Sequence, residues 1–268
     1  MDNKDFKFID MHCHYDDLSI LELKKQFNSK EQISLTAAVS LESVEKLEKI
    51  RQENILGLYF AYGLYPDVIL KNSLEECLNQ ITKINFKNAI AIGEVGIDYK
   101  ITKDQSIRKE QQIIFEKQLE LAEKLNYPIV IHTRYATKKI LDILSTTNHK
   151  KVILHWYSGT DEEINTAIDR GYYLTSRFSK PNILNIKEHL DQIFIETDYP
   201  ISYDGKPLLI SDIKKSYEIF SAEYKIELNE LKEIIQTNFL KLFPNINIWE
   251  ALLWLKKTQK FMIYLLLG

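Results

Sequence analysis

The sequence predicts an α/β fold of the (β/α)8 TIM-barrel type, built as a single domain with an extra C-terminal tail. Three observations predict it. Short runs rich in β-branched and aromatic residues recur at roughly thirty-residue intervals. The polar stretches between them carry apolar residues at helical spacing. Histidines and acids stand where successive predicted strands end, the end at which such barrels assemble their sites.

Strands are expected at 7–12, 33–39, 56–62, 89–94, 129–132, 151–155, 172–176 and 192–196. Eight is the number that closes the barrel. A helix is expected over 108–125, where Ile113, Ile114, Leu119, Leu121 and Ala122 make an apolar stripe and Asn126-Tyr127-Pro128 stops it. Another is expected over 161–170, starting from the turn Ser158-Gly159-Thr160 and ending at Gly171, a residue suited to a left-handed helix terminus. No low-complexity linker interrupts the βα rhythm, so residues 1–244 read as one domain. Residues 245–268 form an apolar tail, expected to be a helix docked on the barrel, with a dimer contact or an interfacial membrane helix as the alternatives. Its closing run, Phe261-Met262-Ile263-Tyr264-Leu265-Leu266-Leu267, falls far short of the ~20 residues that span a bilayer, and Lys256, Lys257 and Lys260 interrupt anything longer.

The 268 residues are 45% hydrophobic and 27% charged, enough for a sizeable core in a soluble globular protein. A net charge of −3 gives no global attraction to nucleic acid or anionic membranes, so a polyanion must be held by local cations or metal. Cys13 and Cys77 make no disulfide framework, and no apolar leader follows Met1, so a cytoplasmic protein is expected, without a membrane span. No stable protein partner is evident.

In Phe8-Ile9-Asp10-Met11-His12-Cys13-His14, side chains alternate across the strand. Asp10, His12 and His14 therefore share one face, and Cys13 points away as a core residue. Glu94 follows the apolar Ala91-Ile92-Gly93 and precedes a glycine-containing turn. His132 and His155 each end an apolar strand, and Glu196 and Asp198 end the last one on a common face. Singly, each is an ordinary core histidine or helix cap. Six at one end of different strands point to metal, leaving His149 and His189 as bystanders on helical stretches.

Mixed imidazole and carboxylate donors suit Zn²⁺, Mn²⁺ or Mg²⁺. Six ligands exceed the need of one tetrahedral ion, so two divalent ions are expected. Glu94 would bridge them, with His12, His14 and Asp198 on one ion and His132 and His155 on the other. Such a pair activates a water against a phosphoryl centre, and Asp198 is placed to accept its proton. Asp10 and Glu196 are candidates for orienting the ligand imidazoles or, equally, for ordinary polar packing inside the barrel. Arg134, two residues past His132, is the candidate contact to a substrate phosphate, with a surface ion pair as the other reading. Lys100, Lys103, Arg108 and Lys109 are cations near the same end. No Gly-x-Ser-x-Gly elbow, phosphate-binding loop or Cys-His pair offers a covalent route.

At these residues the sequence resembles the TatD family of metal-dependent deoxyribonucleases, within the wider amidohydrolase-like barrels. The matching segments are the Phe8–Cys13 run with His14, Gly63-Leu64-Tyr65-Pro66, Gly93-Glu94-Val95-Gly96-Ile97-Asp98-Tyr99, Ile131-His132-Thr133-Arg134, His155-Trp156-Tyr157-Ser158-Gly159 and Glu196-Thr197-Asp198-Tyr199-Pro200. Asn238-Phe239-Leu240-Lys241-Leu242-Phe243 resembles the family's closing helix. The resemblance implies two divalent ions and hydrolysis of DNA phosphodiesters, commonly from the 3′ end. Tyr65 stands where the family usually has histidine, and could donate a hydrogen bond to a phosphate. Tyr157 replaces the family's phenylalanine, and 201–209 lacks the common Arg-x-x-Asn-x-Pro pattern. Two other readings remain: hydrolysis of another ester or amide bond, as in a tRNA deacylase or lactonase, and a degenerate barrel that binds a partner. The intact ligand set argues against the second.

Overall fold

The computed structural model describes residues 6–157, 159–176, 186–203 and 205–246. Eight strands form one sheet in sequence order: β1 (Phe8–Cys13), β2 (Gln32–Ala37), β3 (Leu58–Tyr62), β4 (Ala91–Asp98), β5 (Ile129–Arg134), β6 (Val152–His155), β7 (Tyr173–Ser176) and β8 (Ile193–Ile195). Each strand pairs in parallel with the next. Helices α1 (Ile20–Phe27), α2 (Leu41–Arg51), α3 (Leu74–Lys83), α4 (Gln105–Leu125), α5 (Thr137–Leu144) and α6 (Asp161–Asp169) alternate with the strands, and α7 (Ile213–Tyr224) and α8 (Leu228–Leu242) follow β8. The predicted barrel and all eight of its strands are present.

The ring closes between β8 and β1 by individual bonds. The Asp198 N–H donates to the His12 carbonyl at 2.9 Å, and the His14 N–H to the Tyr199 carbonyl at 2.7 Å. Between them the Asp10 carboxylate accepts the Thr197 N–H at 2.9 Å and the Thr197 hydroxyl at 2.7 Å. A side chain thus stands in for a backbone acceptor at the seam. Of the two roles open to Asp10, orienting an imidazole or polar packing in the barrel interior, it takes the second and pins the segment that carries Asp198.

Local chemistry sets the helix boundaries. Ser19 with Glu22, Ser73 with Glu76 and Thr160 with Glu163 form reciprocal capping boxes at α1, α3 and α6, where such caps contribute about 1 kcal/mol each. Helix α4 begins before residue 108 because Asp104 accepts from the backbone N–H groups of Ser106 and Ile107. It ends where Asn126 turns left-handed, with φ 53°. Gly171 takes φ 77° just past α6, as its position after that helix predicts.

Strand pleating separates core from site. Ile9, Met11 and Cys13 are fully buried among apolar neighbours, with the Cys13 thiol on the Leu35 carbonyl, while Asp10 and His12 occupy the other face. Apolar residues of the surrounding helices, among them Leu23, Phe115, Ile140, Phe220 and Phe239, complete the core. Strand β4 departs from the expected 89–94. It runs on to Asp98, so Glu94 sits within the strand, at a register irregularity between Ile92 and Val95. Strand β1 has a similar irregularity between Asp10 and Cys13. Such bulges re-aim a side chain locally, and here they flank His12 and Glu94. His149 lies buried in the coil before β6 rather than on a helix.

The described chain ends at Ile246, which packs against the core, so the expectation of a helical tail at 245–268 falls almost wholly outside the described residues. Among the described residues, no helix is long and apolar enough to cross a membrane.

Candidate metal centre

The six predicted ligands converge at the C-terminal mouth of the barrel. Glu94 stands in their midst, 3% exposed, with its two oxygens turned to different partners. Oε2 lies 3.5 Å from His12 Nε2 and 3.3 Å from His14 Nε2. Oε1 lies 2.9 Å from His132 Nδ1 and 3.4 Å from His155 Nε2. Asp198 Oδ1 closes the first group, 3.6 Å from His12 Nε2 and 3.5 Å from His14 Nε2. The two imidazole nitrogens of His12 and His14 face each other at 3.2 Å.

This spacing tests the fit to a cation. A tetrahedral ion with bonds of about 2.0–2.1 Å separates its ligand atoms by about 3.3–3.4 Å. The separations of His12 and His14 from each other, from Glu94 and from Asp198 run from 3.2 to 3.6 Å. Glu94, His132 and His155 make a second group able to hold a metal, and His155 also stands with His12 and Asp198. The donors fit, and they are of the types divalent cations take.

Ring orientation is fixed from behind. His14 Nδ1 donates to the Ala37 carbonyl at 2.9 Å, which leaves the Nε2 lone pair for the centre. His155 Nδ1 lies 3.1 Å from both Glu196 oxygens, with the same consequence for its Nε2. Glu196 also accepts the Trp156 N–H at 2.8 Å, so it is held in place as predicted for an orienting acid. At His132 the nitrogens exchange roles. Its Nε2 donates to the Tyr65 hydroxyl at 3.1 Å, and that hydroxyl donates to Asp98 Oδ2 at 3.2 Å. Nδ1 is thereby left to face Glu94.

The Tyr65 hydroxyl, the candidate donor to a phosphate, donates to Asp98 in this structure. Asp98 is the site residue that the strand-end reading missed. Its signal was the period of two that links 94, 96 and 98 on one face, hidden because β4 was expected to stop at Glu94. Asp198 reaches the centre after β8 has ended, with φ 52°, and Trp156 leaves β6 with φ 43°. Gly96 is required where it stands: φ is 146°, and an added Cβ would overlap the His132 carbonyl oxygen.

Electrostatics bind the cluster together. Burial raises the Glu94 carboxyl, but His155, His12, His132 and His14 outweigh it and hold the group well below the usual carboxylate range. Burial disfavours charge on His14, yet Asp198 and Glu94 push it up to about 10. Burial likewise opposes charge on His155, which Glu196 and Glu94 hold well above the ordinary imidazole value. His12 goes the other way, lowered by burial and by the neighbouring His155.

The centre opens into a pocket of about 560 Å³ whose walls include Val39, Tyr65, Trp156 and Ile201. Arg134 is exposed at its edge, two residues beyond His132 on β5. Arg108, another candidate cation, is committed elsewhere: it donates to the Thr102 and Tyr99 carbonyls and stacks on the Tyr99 ring at 4.5 Å.

Comparison with known proteins agrees with this architecture. Residues 9–244 match the family described as TatD related DNase. The chain is 28% identical to an uncharacterized metal-dependent hydrolase, MJ1582, of Methanocaldococcus jannaschii, over 90% of this chain and 98% of that protein. It is 29% identical to a human protein named deoxyribonuclease TATDN3, over 89% of this chain and 95% of that protein. Among solved structures, the Escherichia coli TatD homologue YjjV superposes with a TM-score of 0.74 at 21% identity, covering 91% of this chain and 100% of its own. That likeness speaks to the fold.

Proposed function

The chain belongs to the TatD-related DNase family of metal-dependent hydrolases, and from that premise we propose that it cleaves DNA phosphodiester bonds from the 3′ end with two divalent ions. The carrying observation is the Glu94 carboxylate, one oxygen toward His12 and His14 and the other toward His132 and His155. A human relative named a deoxyribonuclease supports the choice of bond.

Held between these donors, two such ions would lower the pKa of a shared water and offset charge on the oxygens of a diester. His12, His14 and Asp198 would hold one, His132 and His155 the other, with Glu94 common to both. Asp198, 8% exposed beside the pocket, takes the proton that the attacking water loses. Arg134 contacts a non-bridging phosphate oxygen from the pocket edge. Glu196 and the Tyr65–Asp98 pair keep His155 and His132 in the tautomers that present lone pairs inward. Two buried free thiols, Cys13 and Cys77, fit a reducing cytoplasm.

Metal analysis and nuclease assays on the wild type and Glu94→Ala test the reading. The expected result is about two ions per chain and Mg²⁺-, Mn²⁺- or Zn²⁺-dependent release of 3′ nucleotides, lost in the variant. Cleavage of DNA that survives Glu94→Ala would overturn it. The apolar walls Val39 and Ile201, with Arg134 the one lysine or arginine among the described lining, favour a second reading as a hydrolase of another ester or amide. Turnover of uncharged esters with no diester cleavage would select it.

A further inference from the structure

A second cleft, of about 720 Å³, lies beside the metal pocket and shares Arg134 with it. We propose that this cleft is the track for an unpaired polynucleotide strand flanking the scissile bond. Tyr135 is its base-stacking platform, and Arg134, Lys138 and Lys139 hold its phosphates. The proposal rests on the phosphodiesterase reading and adds where the rest of the substrate lies.

Tyr135 is 77% exposed and takes φ 55°, a left-handed conformation unusual for a bulky residue. Among the described residues its ring makes no aromatic contact. A strained backbone that presents a flat apolar face to water brings folding no return, and such sites mark binding. Tyr99 lines the same cleft, with the Arg108 guanidinium over its ring.

The cations are equally unspent. Lys24, Lys46 and Lys214 each pair with an acid, at 2.6, 2.9 and 2.6 Å. Arg134, Lys138 and Lys139 have no ion pair or side-chain hydrogen bond among the described residues. Lys138 and Lys139 also stand in the first turn of α5, where the helix dipole disfavours positive charge. Their positions are costly to the helix and favourable to an anion. Asp142 and Glu163 line the cleft too, but Glu163 is engaged in capping α6, bonded to the Thr160 N–H at 2.8 Å.

Cations that follow a backbone, beside an aromatic face that accepts any base, are how single strands are held without sequence preference. A duplex keeps its bases stacked inside and has no free face to offer Tyr135. Because Arg134 lines both cavities, a strand whose phosphate lies at the metal pocket continues directly into the cleft.

The test compares a small chromogenic phosphodiester with an oligothymidylate as substrates of metal-loaded Tyr135→Ala, Tyr135→Phe and Tyr135→Gly, the last suited to the positive φ. Turnover of the small diester stays at the wild-type level in all three. For the oligonucleotide, kcat/KM falls about 5- to 150-fold in Tyr135→Ala and Tyr135→Gly, the loss of one stacked base, and Tyr135→Phe restores it. Fluorescence anisotropy of labelled oligothymidylate then reads Lys138→Ser with Lys139→Ser. The slope of log affinity against log salt becomes shallower by about 0.7 per lysine. Equal kcat/KM for the oligonucleotide across the Tyr135 variants, an unchanged salt slope, or the same loss on a blunt duplex overturns the proposal. Failure to turn over either substrate in the wild type instead overturns the phosphodiesterase reading.

Discussion

Replacing Glu196 with glutamine tests how the centre is built, because the substitution keeps shape and removes one acceptor. Glu196 receives two donors: the Trp156 N–H at 2.8 Å and His155 Nδ1 at 3.1 Å. A glutamine carbonyl can still serve Trp156. The same carbonyl lies 3.1 Å from His155 Nδ1 and now serves both donors, while the amide NH2, itself a donor, replaces the second acceptor 3.1 Å from that nitrogen. The hold on the Nδ1–H weakens, and with it the tautomer that leaves Nε2, the atom 3.4 Å from Glu94 Oε1, to an ion. Loss of such an orienting partner typically costs 10–100-fold in metal affinity, about 1.4–2.8 kcal/mol. Calorimetric titration of metal-free protein with Zn²⁺ measures it. The binding step assigned to His132 and His155 weakens by that factor, while the step at His12, His14 and Asp198 shifts far less. Thermal melting of the metal-free variant, expected near the wild type, guards against simple unfolding. If Glu196→Gln binds both ions with wild-type affinity, the tautomer argument is refuted.

Two further outcomes follow from the same geometry. Asp10→Ala strands the Thr197 N–H and hydroxyl in a buried seam, so urea unfolding should show a loss of about 2–6 kcal/mol, at 1–3 kcal/mol for each orphaned donor; a loss below 1 kcal/mol would mean that the barrel closes without this carboxylate. Metal loading must also expel protons. His14, pushed up to about 10 despite its burial, and His155, likewise raised, are cationic at neutral pH in the metal-free protein. Both folded values lie above the ordinary imidazole value, so cations compete with bound protons and apparent affinity rises with pH through the neutral range. Titrations in buffers of different ionisation enthalpy should report net proton release, and a pH-independent affinity would contradict the charge states assigned here.

Much of this site was legible in the chain alone. His12 and His14 share a face because strands alternate, and an apolar run ending in histidine is visible at His132 and His155 without any structure. Asp98 was hidden because a period-two reading needs the correct strand length, and Gly96 looked like part of a turn beyond β4. The role of Tyr65 was hidden for another reason. A hydroxyl that accepts from one neighbour and donates to another depends on His132 and Asp98, which are brought together only by the neighbouring strands.

Local periodicity and residue chemistry determined the eight strands, the helix caps and the donor types, since each depends on neighbours a few positions apart. Tertiary structure alone decided that Asp10 closes the seam with Thr197, that the Glu94 oxygens divide between two imidazole pairs, and that Arg134 joins two cavities. Those facts are distances between residues tens to hundreds of positions apart. Strand register and closure set them, and no local pattern encodes either one.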